Sequence, residues 1–197
     1  MPTYREAFAR LSYTAGVKRL ALVAALSAIS GTTWADGERA LSIGIGYATF
    51  SAPGEAMDNQ APPNLSPDWG AALNLTYERA LGTDVWLRAE LTGGLFRGGA
   101  EMGQSSTSFA GLGDAGVTYR FDVFKWVPYA LIGLGGVVSG GGPIDRGTDL
   151  VLVVGGGLDK LYSRSLSWGA EARIASFGGD ITVFTIGIRR TVRWGFF

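Results

Sequence analysis

From Asp36 onward the chain alternates, with apolar and polar or small side chains taking turns, and helical periodicity is hard to find. The alternation predicts eight strands: Leu41–Phe50, Trp69–Ala80, Val85–Phe96, Ser108–Phe121, Val127–Val138, Thr148–Asp159, Leu166–Phe177 and Ile181–Trp194. In the second, Trp69, Ala71, Leu73, Leu75 and Tyr77 share one face, and Gly70, Ala72, Asn74, Thr76 and Glu78 the other. The third sets Val85, Leu87, Ala89 and Leu91 against Arg88, Glu90 and Thr92. The seventh sets Trp168, Ala170, Ala172 and Ile174 against Ser167, Gly169, Glu171 and Arg173. Each run reaches or slightly exceeds the about 9–11 residues that a tilted strand needs to cross a bilayer.

The connections alternate too. Ser51–Asp68, Arg97–Thr107 and Ser139–Gly147 are long, whereas Leu81–Asp84 and Asp122–Trp126 are short. Lys160–Ser165 reads as intermediate, and Gly178–Asp180 is a tight turn that breaks the rule. Short turns at one end and mostly longer loops at the other predict an all-β, eight-stranded antiparallel up-and-down transmembrane barrel.

Soluble barrels alternate as well, so the aromatic residues carry the distinction. With the amino terminus in the periplasm, Tyr77, Tyr119, Tyr129, Trp168 and Trp194 are expected on the apolar face near the periplasmic strand ends. Tyr47, Trp69, Phe109 and Phe184 are expected on that face at the opposite ends. Two such girdles around an aliphatic band suit rings seated among lipid headgroups.

The fifth strand, "VPYALIGLGG" (Val127–Gly136), is apolar on both faces. The reading that puts Tyr129 in the girdle turns Leu131 toward lipid. It turns Ile132 and Leu134 inward, where with Val151 and Val153 they would form an apolar wall. This stretch, with "VVGGGLDKLYSRSLSWGAEARI" and "FTIGIRR", resembles the closing strands of small eight-stranded OmpA/OmpX-like outer-membrane barrels, and OmpW-like barrels in second place. The resemblance spans Leu41 to the end and is one of strand pattern. It implies a terminal outward Phe read by the barrel-assembly machinery. Phe197 is out of phase with Ile186, Ile188, Val192, Trp194 and Phe196, and Arg190 points to lipid. Either the last residues leave the strand or a bulge shifts them.

Ahead of the strands, Lys18-Arg19 precedes the apolar "LALVAALSAI", and "SGTTWA" ends at Ala35 with Thr33 two places before it. These are the parts of a secretory signal peptide, too short in its apolar core to span a bilayer. Residues 1–35 are expected to be removed by cleavage after Ala35, leaving 36–197 as the barrel domain. If Val17 is encoded by GTG and initiates the protein, residues 1–16 are a mis-assigned start.

Composition adds exclusions. The 31 glycines lie among β-branched and aromatic residues, which argues against disorder. There is no cysteine for a thiolate metal site, and no run of basic residues to bind nucleic acid. Without histidine the usual general base of small barrel enzymes is missing, so no enzyme, cofactor or metal is expected. The glycine-rich "GLGDAG" (Gly111–Gly116) lacks the lysine and helix of a phosphate loop and is a strand segment.

The interior face carries Glu78, Arg88, Glu90, Asp114, Arg120, Glu171, Arg173 and Arg189, a charge network of mixed sign. An eight-stranded barrel is just wide enough for side chains to fill. Pairing of Glu78 with Arg88 and of Glu171 with Arg189 is expected to plug it. The alternative is a narrow pore or conduit for small or hydrophobic solutes. The expected partners are outer-membrane lipids and, during biogenesis, the assembly machinery; a monomer is expected. The proline-rich loop Ser51–Asp68 is the first candidate for binding a surface partner, whose identity the sequence does not give.

Overall fold

A computed structural model describes residues 37–53, 64–98, 106–121, 123–141, 147–177 and 181–195. The leader with its cleavage at Ala35, most of the proline-rich loop, and Phe197 lie outside these residues. The strands are β1 (Arg39–Pro53), β2 (Asn64–Leu65), β3 (Trp69–Ala80), β4 (Val85–Arg97), β5 (Thr107–Arg120), β6 (Trp126–Gly140), β7 (Gly147–Ser163), β8 (Leu166–Phe177) and β9 (Ile181–Trp194). Every long strand pairs antiparallel with the next long one in the chain. β1 also pairs with β9, from Arg39↔Trp194 to Ser51↔Thr182, and this seam closes the sheet. β2 is a two-residue ribbon on the far end of β1, so the wall itself has eight strands. Closure gives each of the eight wall strands a neighbour on both sides, the condition for a sheet in hydrocarbon.

Strands β3, β8 and β9 begin and end where the alternation puts them, and the other long ones differ by one to four residues at an end. The largest difference is in β7, which runs on to Ser163 through a register irregularity between Leu161 and Ser163. The irregularity absorbs an extra residue. The connection to β8 is therefore a two-residue turn at Arg164–Ser165, tighter than the spacing suggested. β9 stops at Trp194, and Gly195 follows with φ +82°, so the chain leaves the strand there without a bulge.

β6 has the opposite parity from the one expected. Tyr129 and Leu131 are buried in the barrel interior, whereas Ile132 and Leu134 are exposed on the outer wall. Hydrophobicity is silent on this strand because both faces are apolar. The tyrosine hydroxyl decides, since only the interior offers it an acceptor, the Glu171 carboxylate at 2.8 Å. Val151 and Val153 do face inward and pack with Leu131 and Val137.

The interior has two tiers. Toward the long-loop end it is apolar: one cluster is centred on Leu131, Val137, Val151 and Val153, a second on Ala48, Phe50, Ala72 and Phe96. Ala110, Ile181 and Val183 pack against both, and the Phe50 and Phe96 rings meet edge to face at 5.1 Å. Toward the short-turn end the interior is charged. Outside, large aliphatic side chains stand exposed around the wall, with Leu73 at 56% and Leu91 at 66%. A continuous apolar belt of that kind suits a lipid environment.

Candidate functional site: the charged lumen

Inward-facing positions on β3, β4, β5, β7, β8 and β9 bring ten buried charged side chains together. They are the eight expected residues, Glu78, Arg88, Glu90, Asp114, Arg120, Glu171, Arg173 and Arg189, joined by Asp159 and Arg193. Five are acidic and five are arginines, so the cluster is formally neutral.

Glu171 is the centre of this network. Arg88 forks onto it, Nη1 donating to Oε2 and Nη2 to Oε1, both at 3.0 Å. Arg189 Nη1 donates to Oε2 at 3.2 Å and Tyr129 Oη to the same oxygen at 2.8 Å, while Arg173 Nε lies 3.1 Å from Oε1. Arg189 makes its own fork onto Asp159, Nε to Oδ1 at 3.0 Å and Nη2 to Oδ2 at 2.9 Å. Arg193 reaches Asp159 at 3.2 Å. Glu90 takes Arg88 and Arg173 as ion-pair partners, with hydroxyl bonds from Thr76 at 2.7 Å and Thr92 at 2.6 Å. Charge-assisted, bidentate bonds of this type are the strong ones, and they offset the desolvation of buried ions.

The pairing differs in part from expectation. Glu171 does meet Arg189, but Glu78 does not form an ion pair with its cross-strand neighbour Arg88. Glu78 accepts from Arg120 at 2.7 Å and lies 3.9 Å from Arg189. The reason is reach. An arginine side chain spans the lumen, and Arg88 turns to Glu171, which lies on the opposite wall.

In the closed order of eight long strands, β4 and β8 are diametrically opposed. Both Arg88–Glu171 and Arg173–Glu90 join this pair, so two ion pairs cross the full width of the barrel. Two cation–ring contacts brace the cluster: Arg120 lies 3.8 Å from the Trp86 ring centre and Arg189 4.2 Å from that of Tyr129.

Local backbone choices make room for these groups. Tyr129 pairs across the ladder with Gly157, and its hydroxyl occupies the space a side chain at 157 would need. Gly169 likewise faces Asp159, whose Oδ1 fills the Cβ position. Asp114 is the exception in the network. It is buried, its Oδ2 has no hydrogen-bond partner, and no described arginine forms an ion pair with it.

Asp159 and Arg193 were legible from parity, since each lies on the inward face with residues already assigned to it: Val151 and Val153, or Arg189. Both sit near strand ends beside turns, where charges are ordinarily solvated. On the outer wall Tyr47, Trp69, Phe109, Tyr119, Trp168, Phe184 and Trp194 are exposed, and Tyr77 is half-buried with its ring 6.5 Å from that of Trp194. Tyr129 is not among them. Trp126, three residues earlier and exposed, occupies the outer wall of β6 at the short-turn rim instead. Among the described residues no three side chains converge as a metal site.

No family model matches the chain, and no curated protein does. Solved structures do match. The attachment invasion locus protein Ail of Yersinia pestis, crystallised with the heparin analogue sucrose octasulfate, is 18% identical at a TM-score of 0.55, over 81% of this chain and 99% of that one. Neisserial surface protein A gives 0.58 at 12% identity, over 79% and 97%. The N-terminal β-barrel domain of Pseudomonas aeruginosa OprF gives 0.53 at 13%, over 81% and 98%. These identities speak to fold alone. The chain has the fold of the small eight-stranded outer-membrane β-barrels.

Proposed function

We propose that the protein is a closed, non-conducting barrel of the outer membrane that serves as a scaffold for its surface loops. In this reading the leader is removed after Ala35, the assembly machinery inserts the mature chain as a monomer, and the short turns face the periplasm. The observation that carries it is the pair of ion bridges, Arg88–Glu171 and Arg173–Glu90, running across the barrel's diameter. Ions would have to break these bonds to pass. Above them the apolar tier leaves a cavity of about 30 Å³ between Ala48, Phe96, Val137, Val153 and Val183, and one of about 20 Å³ near Phe50. Spaces of that size hold a water or two, not a solute, which weighs against a conduit. The reading is non-catalytic: four of the five lumen carboxylates are engaged by arginine, which disfavours an acid–base pair.

Planar-bilayer recording of refolded protein tests the proposal. We expect no steady channel from the unmodified protein, and measurable ion flux once Arg88 and Glu171 are both replaced by alanine. Steady large channels from the unmodified protein would overturn it.

A further inference from the structure

At the short-turn rim the strand register sets up an alternation of a different kind. On the outer wall Trp126 of β6 stands beside Lys160 of β7, Lys160 beside Trp168 of β8, and Trp168 beside Arg190 of β9. All four are exposed. The Lys160 ammonium lies 5.2 Å from the Trp126 ring centre and 5.6 Å from that of Tyr162, and the Arg190 guanidinium 5.6 Å from that of Trp168. Across the seam, the outward positions Arg39 and Arg79 are direct cross-strand partners, with Trp194 on the other side of Arg39. Like charges placed opposite each other in a ladder are unfavourable unless an anion lies between them.

The rim as a whole is lopsided in charge. Its outer and turn positions carry Arg39, Arg79, Lys125, Lys160, Arg164 and Arg190. Against these stand Glu38 and Asp84, with Asp36 and Asp122 outside the described residues, and Glu38 lies 3.9 Å from the lumen residue Arg193. Cations interleaved with indoles, flush with the end of an aliphatic belt, fit a bilayer surface better than a soluble acidic protein. Indoles settle at the headgroup level. The ammonium and guanidinium between them are then placed to donate to phosphate.

We propose that this rim, and the Trp126–Lys160–Trp168–Arg190 row above all, is a binding surface for anionic phospholipid headgroups of the periplasmic leaflet. The inference rests on the membrane orientation proposed above, and its test separates the two. The protein is refolded into phosphatidylcholine vesicles with and without phosphatidylglycerol, insertion is checked by the heat-dependent shift in gel mobility, and association of spin-labelled lipids is compared. Spin-labelled phosphatidylglycerol should associate about fivefold more strongly than spin-labelled phosphatidylcholine, the order of effect one juxtamembrane cation supplies.

The preference should fall toward parity at high salt and in Lys160→Gln/Arg190→Gln, and persist in the charge-keeping Lys160→Arg/Arg190→Lys. Inserted, unmodified protein that shows no preference would overturn the lipid site and leave the barrel reading standing. An unchanged preference in the inserted glutamine variant would overturn the assignment to this row. Failure to insert into any vesicle would overturn the membrane reading and this inference with it. Should the glutamine pair alone fail to insert, the salt dependence of the unmodified protein decides: loss of the preference in salt supports the site, and indifference to salt overturns it.

Discussion

Glu171 and Asp114 are both buried carboxylates of the same lumen, yet they should respond to substitution in opposite ways. Glu171 is held by Arg88, Arg189, Arg173 and Tyr129, and its removal leaves arginines buried with less compensation. Breaking a buried pair from one side costs about 3–5 kcal/mol, so Glu171→Ala should lower stability to urea by about that much in a folded, lipid-reconstituted sample. Asp114 has no ion-pair partner to abandon and its charge is buried without compensation, so Asp114→Asn should raise stability slightly rather than lower it. Equal losses from both substitutions would mean that the ion pairs described here do not set the stability of the lumen. That these residues face inward was legible, because parity along a strand needs only the sequence. Their pairing was legible only in part: depth along the β8–β9 hairpin gave Glu171–Arg189, but not the partners of Arg88 and Glu78. Where a guanidinium reaches past its neighbouring strand to the opposite wall, as that of Arg88 does, no count of depth along one hairpin reveals which carboxylate it meets.

At the scale of elements, period-two alternation located every long strand to within a few residues, because each separates a lipid face from a packed interior. The method lost its grip where that contrast vanished. β6 is apolar on both sides, so its orientation followed from one hydroxyl and one carboxylate that sit 42 residues apart in the chain. The β7 extension was hidden for a related reason, since an irregularity between Leu161 and Ser163 breaks the alternation there. The outer face of β3 offers a direct check on depth. Leu73 lies near the middle of its strand and is open to lipid, whereas Val85 starts β4 beside a short turn. Leu73→Arg should cost about 2–4 kcal/mol and Val85→Arg about 0–1 kcal/mol, measured by reversible unfolding in bilayers. A reversed order would show that the belt is misplaced along the barrel axis.

On the scale of the whole molecule, the lumen charges are unevenly shared among the strands. β4, β5 and β8 each carry one acid and one arginine, and so are neutral on their own. β3 contributes Glu78 and β7 contributes Asp159, each a lone negative charge, and β9 brings the two arginines that balance them, Arg189 and Arg193. The contacts follow the arithmetic: Arg189 touches Asp159 and Glu171 and lies near Glu78, while Arg193 joins Asp159. β9 is also the strand that seals the seam against β1. The strand that closes the barrel is thus the one that cancels the interior's charge, and electroneutrality becomes a proofreading signal for closure. A truncation before Ile181 would leave the lumen charges with an excess of two carboxylates in a sheet with open edges. It should show no heat-dependent gel shift and be cut by protease, and supplying the Ile181–Trp194 segment as a peptide should restore protection. A peptide of the same sequence with both Arg189 and Arg193 changed to glutamine should protect less well, because it could close the hydrogen-bond seam without discharging what the seam encloses.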